Sequence, residues 1–245
     1  MNFRVFSRII PVFLSITAIY STQAAPAPKG KLLWDYWYTV KTDKTVPYEY
    51  YEDKFETDKS KVHFENHAWK KEEDFINEEQ IGAITEGTPE LTPLFWNFRS
   101  TYRSSEKVID GNIKDGKVLT AKIRDKGQDL PIVTKTITPN TILSSFFPLW
   151  LGIHMPKMKV GQSVSFQTIL EDKVDAGTVS GIVRMDKPDA FASKTSTIKL
   201  AVDYGDQNSI WYVEKNGALM RSEIPEQRII VERVPESVAK KFLTP

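Results

Sequence analysis

His63, Glu65 and His67 stand at alternate positions of the chain, so on a strand their side chains share one face, about 7 Å apart. Imidazole and carboxylate groups in that arrangement are donors suited to zinc or iron. A strand site of this kind usually places two histidines two residues apart and takes its third ligand from elsewhere. Here the pair is four apart and His154 is the only other histidine. The three therefore read as the polar, solvent-facing side of a strand whose other side carries Val62 and Phe64. They are the only metal-ligand candidates, and no metal is expected.

Serine chemistry has equally little to stand on. Ser104 and Lys107 match a Ser-x-x-Lys spacing, and Lys194-Thr195-Ser196 approximates the Lys-Thr-Gly element that accompanies it in penicillin-interacting enzymes. In those enzymes the serine opens a buried helix, whereas Ser104 falls between two segments with strand periodicity. The chain has no Gly-x-Ser-x-Gly elbow, Walker sequence or Gly-x-Gly-x-x-Gly fingerprint. With zero cysteines it has no thiolate nucleophile, thiolate metal site or disulfide. We read it as a non-enzyme that needs no cofactor; a hydrolase with a dispersed active site is the remaining catalytic alternative.

Aromatic and apolar residues offer a different chemistry. Trp34, Tyr36, Trp37, Tyr38, Tyr48, Tyr50 and Tyr51 crowd one stretch, and Phe146-Phe147-Pro148-Leu149-Trp150-Leu151-Gly152-Ile153 is too apolar for an exposed loop and too irregular for a strand. Large rings on a curved sheet either fill its interior or line a cavity for a greasy ligand. Trp34, Tyr36, Phe146, Phe147, Trp150 and Ile153 are the residues expected to touch such a ligand. The competing reading makes the same residues core.

The elements that must position these groups are mostly strands. Leu32, Trp34, Tyr36, Tyr38 and Val40 alternate with a second set, and comparable period-two segments recur at 48–55, 61–69, 95–103, 107–113, 117–123, 131–137, 162–170, 178–185, 195–204, 210–214 and 219–234. Asp115-Gly116 and Asn216-Gly217 supply the positive φ angles of tight hairpin turns. Glu72 to Glu79 is an acidic run, and Gly87-Thr88-Pro89-Glu90 with Thr92-Pro93 reads as a loop. The apolar segment within 139–156 reads as a short helix or loop interrupted at Pro148. Pro235 opens a last helix with an early acid and late lysines that match the helix dipole. Many strands joined by short turns give an antiparallel sheet, and a strongly twisted sheet of more than about ten strands must curl. The fold expected is mainly β: a curved antiparallel half-barrel or barrel with an apolar plug and a short C-terminal helix.

Arg4 and Arg8, the apolar run from Ile9 to Tyr20 and the small residues up to Ala24 have the anatomy of a secretory leader. The domain reading is a signal peptide over 1–24, a loose tail over 25–31 and a single β-rich domain over 32–245. Removing the leader's two arginines from 33 Lys and Arg leaves 31 against 32 acids, with both signs interspersed, which argues against nucleic acid as a partner. No later segment has the length of a membrane span, about 20 apolar residues.

Pro148-Leu149-Trp150-Leu151, then Met158-Lys159-Val160-Gly161-Gln162, then Ile210-Trp211-Tyr212-Val213-Glu214-Lys215-Asn216-Gly217 followed by Arg221-Ser222-Glu223-Ile224-Pro225, resemble uncharacterised periplasmic proteins of the DUF3108 type. The likeness covers residues 139 to 234. It implies the architecture of the periplasmic lipoprotein carriers, a curved antiparallel sheet around a helical plug and an apolar cavity, and with it lipid handling. It carries over no catalytic residue. The function expected is that of an exported cell-envelope protein, periplasmic in a Gram-negative host, that binds a lipid or other apolar ligand. The alternative is a non-catalytic module that binds another envelope protein.

Overall fold

The computed structural model describes residues 30–42, 46–72, 75–205 and 207–243. The leader and most of the tail expected over 25–31 lie outside them. The chain opens with seven long or medium strands in succession: β1 (Lys31–Thr42), β2 (Glu49–Asp58), β3 (Lys61–Glu72), β4 (Phe75–Glu86), β5 (Pro93–Tyr102), β6 (Ser105–Lys114) and β7 (Val118–Asp125). Two short strands, β8 (Gln128–Asp129) and β9 (Val133–Thr136), both pair with β7 and end this half. The second half holds β10 (Thr141–Leu143), helix α1 (Phe147–His154), β11 (Ser163–Ile169), β12 (Thr178–Met185), helix α2 (Ala190–Thr195), β13 (Ile198–Tyr204), β14 (Gln207–Val213), β15 (Leu219–Ile224), β16 (Ile229–Val234) and helix α3 (Glu236–Leu243).

All sixteen strands belong to one curved sheet that does not close. Its order runs from β10 through β16 to β1 and on to β8, so β1 and β16, the first and last strands, pair antiparallel in the middle. Neighbours are antiparallel except β10 and β11, which are parallel. Thr136 of β9 and Thr141 of β10 sit on opposite edges of the sheet yet are joined by residues 137–140 alone, a link of about 18 Å at full stretch. The curl must therefore bring the edges together. All three residues of β10 are buried, and β10 lies against β5.

Cross-strand register explains why this sheet has an inside. One row across the first half reads Trp34, Phe55, Phe64, Ala83, Trp96, Gly111 and Ala121. Every side chain in it is apolar, and Gly111 is required because a Cβ there would meet the Trp96 ring at 2.1 Å. Alternate residues face outward, so the convex side carries charges and ion pairs. Both expected turns form: Asp115 and Gly116 have φ of +52° and +62°, and Gly217 has φ of +92°.

The structure departs from the sequence reading in two places. No strand was expected over residues 75–86, which form β4, where Glu78 and Gln80 face outward. The strand expected from Thr195 starts at Ile198, behind the short helix α2, whose first turn is capped by Asp189 through the Ala192 N–H. The segment over 219–234, which the sequence allows as one strand or two, is two, β15 and β16. Helix α3 forms where Pro235 announces it and packs on the convex face, where Ala239 and Phe242 meet Trp37, Tyr50 and Trp69.

Candidate functional site

Helix α1 occupies the concave side of the sheet. Its approach, Ser144 to Phe146, makes one tight turn, and Pro148 sits in the helix's first turn, where its missing N–H leaves nothing unsatisfied. Phe146 is wholly buried among Phe55, at 5.5 Å between ring centroids, and Phe64, at 6.0 Å. Phe147 stacks on Phe166 at 4.4 Å and meets Trp211 edge-on. Trp150 lies between Phe166 and the ring of His154. The six residues expected at an apolar site are thus brought into one cluster. Trp34, Phe146, Phe147 and Trp150 are buried in it, and Tyr36 and Ile153 are half-buried against its margin.

Successive register rows grow more polar away from this filled end. The next row reads Tyr36, Asp53, Asn66, Ile81, Phe98, Ile109 and Ile123, and the one beyond it Tyr38, Tyr51, Ala68, Glu79, Ser100 and Lys107. Here the concave face is aromatic and polar at once. Asn66 Nδ2 donates to Asp53 Oδ1 at 2.9 Å, and burial of that carboxyl pushes its pKa up to about 7 against the pull of this bond. Burial likewise raises Tyr38 and Tyr51, whose rings stack at 4.8 Å. The Arg233 guanidinium lies 3.8 Å from the centroid of the Tyr36 ring, donates to Glu214 at 2.7 Å, and reaches the Leu219 carbonyl. Tyr36 therefore lies at the margin of the cluster, beside Asp53 and Arg233.

A second polar cluster sits at the start of the plug. Glu171, 2% exposed, follows β11 and turns its carboxylate inward. Ser144 Oγ donates to Oε2; the Ser145 N–H, at 3.0 Å, and Ser145 Oγ, at 2.6 Å, donate to Oε1. Burial raises the pKa of this carboxyl and the serine bonds oppose the rise. Tyr204, pushed by burial up to about 12, shares a hydrogen bond with Thr168 at 2.7 Å. Nothing local in the sequence marks Glu171, since one acid among three nearby carboxylates looks like a solvated turn.

The remaining candidates lie outside this interior. His63, Glu65 and His67 share the convex face of β3 as the spacing predicts; the His67 ring lies tilted against Trp69, 3.8 Å between centroids, and stands 3.6 Å from Glu78. Among the described residues no three His, Asp or Glu side chains converge on a metal-sized site. Ser104 lies in the turn between β5 and β6, and Lys107 points away from it to donate to the Asp172 carbonyl at 2.8 Å. Among the described residues no helix is long and apolar enough to cross a membrane.

No family model matches the chain, and no curated protein matches it in sequence. Solved structures do resemble it. The fold is β-barrel-like. A Brucella abortus protein described as a beta-barrel-like protein of domain of unknown function DUF1849 superposes with a TM-score of 0.53 at 12% identity, covering 82% of this chain and 94% of that one. A DUF1089 family protein from Pseudomonas aeruginosa covers 72% and 90% with a TM-score of 0.41, also at 12% identity. Identity this low speaks to architecture alone.

Proposed function

We propose that the protein is a non-catalytic binding protein of the cell envelope that accepts an apolar chain on the concave face of its sheet. The observation that carries the reading is what fills that face. The interior is occupied by the rings and side chains of the α1 segment, Phe146, Phe147, Trp150 and Leu151, and not by the sheet alone. A helix of one apolar segment inside an unclosed sheet occupies space of the kind an acyl chain would use. The half-buried margin of Tyr36 and Tyr51, next to Asp53 and Arg233, gives such a ligand a place for its polar end. The leader read in residues 1–24 and the DUF3108 likeness agree with an envelope location.

A second reading, a module that binds another protein, draws on the completeness of the same packing, since Phe146 and Leu151 are already fully enclosed. The test is direct. The chain starting at Pro26 is produced in a bacterial periplasm, purified without detergent and extracted with organic solvent, and the extract is weighed for lipid by mass spectrometry. Near one lipid per chain is the outcome expected. A clean extract, together with no uptake of a fluorescent fatty acid, would end the carrier reading in favour of the protein-binding module.

A further inference from the structure

The residues that hold the plug in place and those that hold the curled sheet shut converge on one loop, residues 170–177, between β11 and β12. Its side-chain face works on the plug: the Glu171 carboxylate takes three hydrogen bonds from Ser144 and Ser145, the two residues leading into Phe146 and α1. Its backbone face works on the other half of the sheet. Trp96 Nε1 of β5 donates to the carbonyl of Glu171 at 3.4 Å, Lys107 Nζ of β6 to that of Asp172 at 2.8 Å, and Lys135 Nζ of β9 to that of Asp175.

The donors come from three strands of the first half and the acceptors from one turn of the second. No backbone ladder crosses here, because β8 and β9 end the sheet on one side and β10 on the other. Contact is instead made by a few side-chain bonds, and such bonds break and reform far more easily than a β-ladder. Val174, fully buried, and Gly177, whose φ of +75° suits a glycine, anchor the loop between these attachments.

We infer that residues 170–177 form a gate: release of the loop from Lys107 and Lys135 withdraws the Glu171 carboxylate from Ser144 and Ser145, freeing the plug so that an apolar chain can take its place. The inference rests on the carrier reading for the identity of what enters, but the coupling between loop and plug is a property of the protein alone. Glu171 is on this account a positioning residue, acting on the ligand only through α1.

Hydrogen exchange read by mass spectrometry on the ligand-free chain from Pro26 tests the coupling. The double variant Lys107→Met, Lys135→Met keeps the apolar stems and removes both donors, and it touches no atom of the plug. Exchange over residues 144–154 should rise about tenfold in it, while β12 and β13 stay within about twofold. Glu171→Ala should have the same effect. Glu171→Gln should remain near wild type, since its carbonyl still accepts from the Ser145 N–H and its amide can reach Ser144 Oγ. Uptake of cis-parinaric acid, a fluorescent acyl chain, should quicken about tenfold in the double variant.

Unchanged exchange over 144–154 in the folded double variant overturns the gate, whatever Glu171→Ala does. If Glu171→Ala unfolds the chain, the double variant and Glu171→Gln still decide. Faster plug exchange with no parinarate bound by any variant would uphold the gate and sink the carrier reading.

Discussion

Gly152 of α1 and Gly217 of the β14–β15 turn meet backbone to backbone: a Cβ on Gly217 would lie 1.8 Å from the Pro148 carbonyl oxygen and 2.6 Å from the Gly152 nitrogen. A Cβ on Gly152 would fall 2.0 Å from the Asn216 oxygen. The plug is thus held at both ends, by Glu171 before its first turn and by this glycine contact near its last. Gly127, with φ of +76° and nothing within 4 Å of a Cβ, isolates the backbone contribution. Gly127→Ala should cost about 1–2 kcal/mol, the penalty of a left-handed alanine. Gly217→Ala should cost roughly 2 kcal/mol more, because the turn must also move off the helix. Urea unfolding of the two variants gives the comparison, and equal losses would mean that the close approach is easily relieved.

The interior position of Phe146 leads to a second expectation. Phe146→Ala removes a ring with no exposed surface and should cost about 3–5 kcal/mol. Phe242, on α3 at the convex face and half-buried against Tyr50 at 4.6 Å, should cost only about 1–2 kcal/mol when truncated. Denaturant midpoints would settle the order of the two.

Asp53 makes the stability depend on pH in an unusual direction. Its carboxyl titrates at about 7 in the folded protein and near 3.8 when free, so the folded state holds the proton more tightly than the unfolded chain does. The stability it contributes is fully present below pH 4 and is lost as pH rises through 7. Glu49, pushed by burial to about 7 on the same face, adds to the trend. Asp53→Asn keeps the contact with Asn66 and cannot ionise, so it should be more stable than wild type at pH 8 by on the order of 1–3 kcal/mol and close to it at pH 4. Thermal melts across that range measure this, and superimposable profiles would refute it.

Asp189 gives the opposite slope. The Ala192 N–H, Lys199 at 3.0 Å and the Tyr212 hydroxyl at 2.9 Å hold its carboxyl well below the usual carboxylate range. Its contribution is present above pH 4 and fades as pH falls through the lowered folded value. Asp189→Ala should therefore lower the melting temperature at neutral pH and flatten the acid limb of the stability curve.

How much of this was legible in the sequence follows from the range of the interactions involved. Alternation around Trp34, Tyr36 and Tyr38 reveals a strand and its buried face because both are local consequences of a period of two. Phe146 to Ile153 announces itself as buried because no exposed segment is so apolar. The strand β4 escaped notice because its convex face mixes Glu78 and Gln80 with Ile76 and Ile84 while its concave one includes Asn77 and Glu79, so neither face reads as apolar or polar throughout. Glu171 could not be read at all. Its role depends on Ser144, Ser145, Trp96 and Lys107, which the fold brings together from separate strands, and an acid destined for burial looks like any other acid.

The pairing of β1 with β16 sets the order of events at birth. As the chain emerges from a ribosome, β1 can pair with β2 early, but its other edge stays open until the last strand has been delivered. The register that joins Trp37 to Val234 links nearly the whole length of the chain. Completion of the sheet therefore waits for the last strand, and a nascent chain remains short of its final architecture. Until β16 arrives, the waiting edge of β1 offers unpaired backbone groups on which a wrong strand could pair.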